Sequence, residues 1–238
     1  MKYRNIDRGV FLERLNRFVA RVEIDGREER VHVKNTGRCA ELLVAGNTVY
    51  LEKSDAAGRK TAYDLVAVEK RVADGVRLVN MDSMAPNRAA AEWLAAGGLG
   101  PMDALRAEVT IGDSRFDFCG VQGGQRVVIE VKGCTLEESG VARFPDAPTE
   151  RGVKHLRGLA RLSEQGDRCA VLIVIQMKGV RVFQPNWSTH PAFGEALIEA
   201  RDAGVEILAL DCRVVPGSVE IDAPVTVDLA RPAQVDEC

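Results

Sequence analysis

The sequence predicts two domains, a small all-β barrel followed by an α/β domain whose mixed sheet is covered by helices. Up to about residue 80, short strand-like runs alternate with turn signals, whereas after Ser83 helical and strand patterns alternate. The length of 238 residues exceeds the commonest size of a single domain and leaves room for two. We therefore expect a barrel over residues 1–83 and an α/β domain over residues 84–238.

Five strand-like runs predict the barrel. Runs 18–24 and 31–34 flank Asp25-Gly26, a pair whose backbone tolerates the positive φ of a tight hairpin turn. Three more runs, rich in Val, Leu and Tyr, follow at 47–53, 62–68 and 76–80. A closed barrel is expected, because an open sheet of this size would leave its edges unprotected. One short helix is predicted at 38–44.

Three helices and five strands, in the order α-β-β-β-α-β-α-β, predict the second domain. The helices are expected at 87–96, 149–163 and 191–203, with Thr149 as an N-cap. The strands are expected at 105–111, 115–119, 126–132, 170–175 and 205–210. The run 170–175 is short and wholly apolar, as a strand buried on both faces should be. This order is typical of a mixed sheet covered by helices.

Composition excludes several classes of protein. With 46% hydrophobic and 28% charged residues, the chain has the composition of a soluble globular protein rather than a disordered one. No apolar stretch is long enough to span a bilayer, and no apolar signal segment begins the chain. Six well-separated cysteines form no C-x-x-C zinc pair, so reduced thiols are expected. We expect a cytoplasmic protein with no membrane partner.

A candidate metal site lies at the end of the strand 126–132. Strand periodicity puts Glu130 and Lys132 on one face, and an antiparallel neighbouring strand can bring Asp117 beside them. Two carboxylates and an ammonium suit metal-assisted phosphodiester hydrolysis, because carboxylates hold Mg²⁺ and the metal lowers the pKa of an attacking water. The alternative is a surface ion pair at the end of a sheet.

Basic residues cluster in two places. On the helix that follows Thr149, a stripe of side chains lies opposite the apolar face: Arg151, Lys154, Arg157 and Arg161. A phosphodiester needs cations beside its metal site, although a solvated helix face would carry the same pattern. Around the first hairpin, residues 1–38 hold 10 basic and 6 acidic side chains. His155 flanks the stripe, and a structural role for it is equally open. The barrel aromatics Phe18, Tyr50 and Tyr63 are expected in the core.

Five segments together resemble the sugar fermentation stimulation protein A family. Three lie in the second domain: SRFDF at 114–118, IEVK at 129–132 and FPDAPTERGVKHL at 144–156. HVKNTGR at 32–38 resembles the family's barrel motif, and GVEIL at 204–208 its last strand. The likeness covers nearly the whole chain. It implies an OB-fold barrel followed by a restriction-endonuclease-like domain.

The resemblance also implies site residues. Asp117, Glu130 and Lys132 take the catalytic places, with Asp117 and Glu130 as ligands of Mg²⁺ or Mn²⁺. Glu92 is the expected fourth acidic member, and Glu108 is its competitor. Nucleic acid, DNA rather than RNA, is the expected partner. The residues expected to bind it are Arg17, Arg21, Lys34, Asn35, Arg38, Arg151, Lys154, His155 and Arg157.

Two functions follow from these expectations. The leading hypothesis is a metal-dependent nuclease whose barrel helps to hold nucleic acid. The other is a non-cleaving DNA-binding regulator of sugar metabolism genes that keeps the same fold. The complete set of two acids and a lysine favours the nuclease. The oligomeric state is left open by the sequence.

Overall fold

A computed structural model describes residues 1–35, 37–54, 58–73 and 75–232. Thr36, within the motif at 32–38, and Cys238 lie outside the described residues. The first part of the chain is a sheet of six strands, with bounds β1 Ile6–Asn16, β2 Val19–Ile24, β3 Arg27–Val33, β4 Thr48–Lys53, β5 Tyr63–Val72 and β6 Gly75–Asn80.

Strands β1 to β5 close into a barrel. The antiparallel pairings run in the order β3-β2-β1-β4-β5, and a short parallel pairing of β3 with β5, through Val33 and Leu65, joins the two ends. Apolar residues of alternate positions fill the interior, among them Phe11, Val22 and Leu51. The predicted closed barrel is therefore confirmed, and Asp25-Gly26, with φ of 49° and 74°, makes the predicted hairpin turn.

Three details of this part differ from the prediction. Strand β1 was not expected, and the run at 76–80 forms β6, which pairs with β5 outside the closed ring. The predicted helix at 38–44 is wrong. A single turn occupies this place, because Cys39 has a φ of 45° and only the N–H groups of Leu42 and Leu43 reach its carbonyl, at 3.1 and 3.0 Å.

The second part of the chain contains three helices and ten strands among the described residues. They are α1 Ala85–Ala95, β7 Asp103–Ile111, β8 Ser114–Gln122, β9 Gln125–Cys134, β10 Glu137–Glu138, β11 Val141–Phe144, α2 Glu150–Glu164, β12 Arg168–Ile175, β13 Val182–Pro185, α3 Pro191–Asp202, β14 Glu206–Val215, β15 Ser218–Pro224 and β16 Thr226–Val227.

A mixed sheet in the order β15-β14-β12-β9-β8-β7 forms the centre of this part. Strands β9, β12 and β14 are parallel, and the outer pairings are antiparallel. Helices α2 and α3 pack on one face, through Leu159 and Phe193, and α1 packs on the other, through Leu94. The predicted mixed sheet is confirmed, and β12 is buried on both faces as expected.

A smaller sheet, in the order β10-β11-β13-β16, was not predicted. Its strands are two to four residues long among the described residues, too short to show a strand period in the sequence. Strand β15 was also missed. No helix in the described ranges is long and apolar enough to cross a membrane.

A buried polar network lies where the barrel meets the second part. The side-chain amide of Gln176 donates to Asn80 Oδ1 at 2.8 Å and to the Asp82 carbonyl at 3.1 Å. Asn80 in turn donates to the hydroxyl of Tyr3 at 2.8 Å, and Lys34 forms an ion pair with Asp82 at 2.8 Å. Because every member is partnered, the network fixes how the two parts meet.

A second contact between the parts is a buried ion cluster. Glu137 of β10, 2% exposed, pairs with Lys70 of β5 and Arg77 of β6, each at 2.8 Å. The N–H of Gly140 also donates to this carboxylate, at 2.6 Å. The barrel strand β5 and the neighbouring strand β6 are thus tied to the small sheet by one carboxylate.

Candidate metal and nucleic-acid site

The site begins where strands β8 and β9 separate. Their antiparallel pairing ends at Phe118 and Ile129. Beyond this point the Asp117 carboxylate accepts the hydrogen bond from β9 in place of a backbone carbonyl. Its Oδ2 accepts from the N–H of Val131 at 2.7 Å, and its Oδ1 accepts from the side-chain amide of Asn87 on α1, also at 2.7 Å. The predicted antiparallel arrangement therefore does bring Asp117 to the Glu130 strand.

Glu130 is almost fully buried, with 2% of its surface exposed. Its Oε1 accepts two hydrogen bonds, one from the ammonium of Lys132 and one from Nδ1 of His155 at 2.5 Å. Its Oε2 is buried and has no hydrogen-bond partner among the described residues. A buried carboxylate oxygen without a donor is costly, so this atom marks a place where a ligand fits.

Helix α2 brings His155 to Glu130. The Thr149 hydroxyl accepts from the N–H of Gly152 at 3.1 Å and so caps the helix as predicted. The buried face of the helix packs on the sheet, and Gly158 allows a close approach, since a Cβ there would lie 3.1 Å from the ring of Phe116. His155 is on this buried face, 5% exposed.

The two carboxyl groups have opposite pKa shifts. Burial, followed by the negative charge of Glu130, raises the pKa of Asp117 above its usual value. Burial would also raise the pKa of Glu130, but the hydrogen bond from His155 and the charge of Lys132 outweigh it and lower that pKa. Glu130 is thus held ionised, and the mutual repulsion is expressed at Asp117.

This arrangement fits Mg²⁺ better than a metal that needs a complete protein cage. In the described ranges, no group of three or more His, Cys, Asp or Glu side chains is placed to hold a metal ion. Mg²⁺ commonly takes one or two carboxylates and completes its shell with water and substrate phosphate. Asp117 and the free Oε2 of Glu130 could supply those carboxylate oxygens.

The structure does not bring Glu92 to this site. Its carboxylate pairs with the amino group of Met1 at 2.7 Å and is 65% exposed. Helix geometry is the reason: Asn87 faces Asp117, and a residue five positions later points about 140° away. Glu108 is also exposed on β7, where its carboxylate lies 3.5 Å from Arg115. The expected fourth acidic position is occupied instead by the neutral Asn87.

The basic stripe of α2 is exposed, but carboxylates neutralise part of it. Arg157 makes two hydrogen bonds to Glu199, at 2.8 and 3.1 Å, and Lys154 pairs with Asp113 at 3.2 Å. Arg151 has no carboxylate partner in the described chain, and its Nε donates to Nε2 of His155 at 3.5 Å. His155 itself is buried at Glu130 rather than on the surface where a nucleic-acid contact was expected.

Carboxylates likewise neutralise some of the predicted basic residues of the barrel. Arg21 pairs with Glu13 and Glu28, and Lys34 pairs with buried Asp82. Arg38 is exposed, and its guanidinium has no ion-pair partner in the described chain. The guanidinium of Arg17 lies over the ring of Phe18, 5.8 Å from its centroid. The placement of Phe18 in the core was wrong, since this residue is 51% exposed, in the turn between β1 and β2.

Arg14 holds the loop next to these residues. Its guanidinium donates to five backbone carbonyls at 2.6 to 3.3 Å, those of Asn16, Arg17, Asn35, Gly37 and Arg38. The side chain of Asn35 is engaged as well, since its Oδ1 accepts from the N–H of Gly37 at 2.7 Å. The shape of the barrel rim therefore depends on Arg14.

A furrow of about 420 Å³ runs between the barrel and the second part. Arg17 and Asn35 line its barrel side, and Gly133, Phe144 and Thr149 line the other. Gly133 follows Lys132 in the sequence, and Thr149 caps the helix that carries His155. The furrow therefore extends from the basic rim of the barrel to the residue after Lys132 and to the start of α2, but Asp117, Glu130 and Lys132 are not among the residues that line it. The carboxylate of Asp146 also lines it.

Sequence reasoning missed Asn87 and misplaced His155. Asn87 gives no signal, because a neutral amide near a helix start is ordinary. His155 did give one: Gly152, His155, Leu159 and Leu162 follow one helical stripe, and all four are buried. The apolar stripe of α2 thus passes through the histidine.

Comparison with known families matches nearly the whole chain. A family model described as "SfsA N-terminal OB domain" matches residues 12–80, and one described as "Sugar fermentation stimulation protein RE domain" matches residues 84–218. A sugar fermentation stimulation protein homolog of Desulfitobacterium hafniense is 54% identical, covering 97% of this chain and all of the relative. A homolog of Ruminiclostridium cellulolyticum is 50% identical over 96% of this chain and all of the relative.

A solved structure is similar as well. The structure of SfsA from Pyrococcus furiosus in complex with Ca²⁺ aligns with a TM-score of 0.82 and 29% sequence identity. The alignment covers 96% of this chain and 98% of that one. Both the barrel and the mixed-sheet domain therefore have counterparts in a solved protein.

Proposed function

Because the chain belongs to the sugar fermentation stimulation protein family, we propose that it binds nucleic acid and hydrolyses phosphodiester bonds at a divalent-cation site built on Asp117 and Glu130. The unpartnered Oε2 of Glu130 is the observation that carries this proposal. The Ca²⁺ complex of the Pyrococcus furiosus relative supports a divalent cation, and the proposed working ion is Mg²⁺ or Mn²⁺.

The cation, when bound, would polarise the phosphate and lower the pKa of an attacking water. The roles of the protein follow from its own contacts. Asp117 is fixed by Val131 and Asn87, and Glu130 is fixed by His155 and Lys132, so both carboxylates are preorganised. The Lys132 ammonium, beside these carboxylates, offsets negative charge on the phosphate in the transition state and can orient water.

Nucleic acid would lie along the furrow and the exposed basic surface. Arg38 and Arg151, which have no carboxylate partners in the described chain, are the proposed phosphate contacts. Phe18, with Arg17 against its ring, offers an exposed face on which a base could stack. Because the carboxylate of Asp146 lines the furrow and repels phosphate, the basic residues of the rim are favoured as phosphate contacts.

The decisive experiment incubates the purified protein with labelled DNA and RNA, each single- and double-stranded, in Mg²⁺, Mn²⁺ or EDTA. We expect cleavage that requires the metal. Asp117→Asn should abolish it, and Lys132→Ala should reduce it by orders of magnitude while cation binding persists. Glu92→Gln and Glu108→Gln are matched controls that should cleave normally, because both carboxylates are exposed and paired elsewhere.

A second candidate is a DNA-binding regulator that does not cleave. The observation in its favour is that the described residues place no third acidic or imidazole ligand with Asp117 and Glu130. Such a protein would bind DNA equally well with and without EDTA. An inert wild type on every substrate, with no calorimetric sign of Mg²⁺ or Mn²⁺ binding, would favour this candidate over the nuclease.

A further inference from the structure

The hydrogen bonds of Glu130 are distributed unequally between its two oxygens. Both donors, Nδ1 of His155 and the ammonium of Lys132, converge on Oε1, while no donor in the described part of the chain reaches Oε2. Lys132 alone would not produce this inequality, because an ammonium can bridge both oxygens of a carboxylate. The second donor, placed by a different element, selects one oxygen.

His155 is itself fixed on three sides. Its Nε2 accepts from Arg151 at 3.5 Å, which leaves Nδ1 as the nitrogen that carries the donated proton. The ring of Phe116 packs against it, with centroids 5.8 Å apart, and only 5% of the residue is exposed. These contacts and the burial hold the ring in its orientation toward Glu130.

We propose that His155 is a positioning residue for the cation site: by holding Oε1 of Glu130, it leaves Oε2 free for the cation and prevents Lys132 from engaging both oxygens. This inference rests on the proposed function, since it assigns a role at the same site. It replaces a direct contact of His155 with nucleic acid. Hydrogen-bond partners of metal ligands typically change metal affinity by about 10- to 100-fold when they are removed.

Three substitutions test the role of the Nδ1 donor. His155→Leu fills the space without a donor. His155→Asn places an amide N–H where imidazole Nδ1 stands, whereas His155→Gln places it nearer the position of Nε2. Ca²⁺ and Mn²⁺ affinities are measured by calorimetry, with EDTA melting curves to show that each variant is folded. Glu164→Gln is the control, since Glu164 lies on the same helix but is exposed.

We expect the Leu and Gln variants to bind Mn²⁺ about 10- to 100-fold more weakly and the Asn variant to recover most of the affinity. In cleavage assays at saturating substrate, the Leu and Gln variants should have a lower kcat than the wild type. Raising the Mn²⁺ concentration should restore part of this kcat. A structural role alone would lower the melting temperature of all three variants without this order of cation affinities. If the Leu variant does not fold, the comparison of Asn with Gln decides.

The outcomes separate this inference from the proposed function. If the wild type binds Mn²⁺ and cleaves, but the three variants bind Mn²⁺ as the wild type does, the role of His155 is wrong and the nuclease stands. If cation affinity depends on Nδ1 but no substrate is cut, the positioning role stands and the nuclease fails. A wild type that binds neither Ca²⁺ nor Mn²⁺ overturns both.

Discussion

The carboxylate of Asp117 accepts a hydrogen bond from the backbone N–H of Val131 at 2.7 Å, at the point where the pairing of β8 and β9 has ended. One side chain thus completes the sheet and supplies half of the candidate cation site. This double use buries the Asp117 carboxylate beside Glu130. Burial, together with the negative charge of Glu130, raises the pKa of Asp117.

Asp117→Asn should stabilise the metal-free protein at neutral pH. A carboxyl whose pKa is raised by folding is disfavoured in its ionised form, so stability is lost as the pH rises from the unfolded pKa through the folded pKa, and the neutral amide removes this loss. Melting in EDTA should show a higher Tm for the variant at pH 7. The difference should shrink as the pH falls and wild-type Asp117 is protonated. A lower Tm of the variant at pH 7 would contradict this account.

Glu130→Ala should have the opposite effect. It leaves Lys132 and His155, both mostly buried, without their shared acceptor. Breaking a buried ion pair by removing one partner typically costs about 3–5 kcal/mol. Urea denaturation in EDTA at pH 7 measures the loss, and Glu108→Gln is the control, because that carboxylate is exposed. Unchanged stability would show that the contacts of Glu130 contribute little to folding.

The salt dependence of nucleic-acid binding should distinguish free from paired cations. Arg38→Ala and Arg151→Ala should each weaken binding and reduce the slope of log K against log salt by about 0.7–0.9, the release expected for one phosphate contact. Arg157→Ala should change the slope less, because Glu199 already neutralises that guanidinium. Conversely, Glu199→Gln should strengthen binding. Equal slopes for all four variants would indicate that these side chains form a solvated surface and contact no phosphate.

Glu137→Gln should loosen the contact between the barrel and the second part. Burial favours the neutral acid, but the hydrogen bonds from Lys70 and Gly140 outweigh it and lower the pKa of Glu137. Its stabilising effect is therefore present above the usual glutamate pKa and is lost as the pH falls through the lower folded value. Limited proteolysis at neutral pH should cut the variant faster near Ser83 and Met84, where Met84 is 57% exposed.

The same digestion tests the predicted domain boundary between residues 83 and 84. A cut confined to this segment would support two units, and stable products cut elsewhere would contradict the boundary. Glu195→Gln is a suitable control, since its exposed ion pair with Arg231 lies within the second part. Its digestion should match that of the wild type.

Prediction from the sequence worked where a local pattern had one physical cause. The Asp25-Gly26 hairpin, the Thr149 cap and the apolar strand β12 depend on neighbouring residues alone, and the structure confirms all three. Strand β1 was missed, because its apolar and polar residues alternate poorly. It is held by pairing with β2 and β4, and such pairing cannot be deduced from the residues of β1 alone. The helix at 38–44 failed for a related reason, since Cys39 adopts a backbone shape that propensity does not encode.

The candidate site divides along the same line. Asp117, Glu130 and Lys132 follow from strand periodicity and one antiparallel pairing, so their convergence could be predicted. The fourth acidic member could not, because the choice between Glu92 and Asn87 depends on the rotation of α1 against the sheet. That rotation is set by the packing of Ala89, Ala90 and Leu94, and it cannot be deduced from the residue types alone.

Arg14 has a consequence for how a polyanion would meet this protein. All five N–H donors of its guanidinium are engaged by uncharged carbonyls, so none is left to grip a phosphate, yet its positive charge has not been cancelled. Such a charge attracts a polyanion over a long range but makes no hydrogen bond to it. It speeds the diffusional encounter at low ionic strength, while the lifetime of the complex is decided by other side chains.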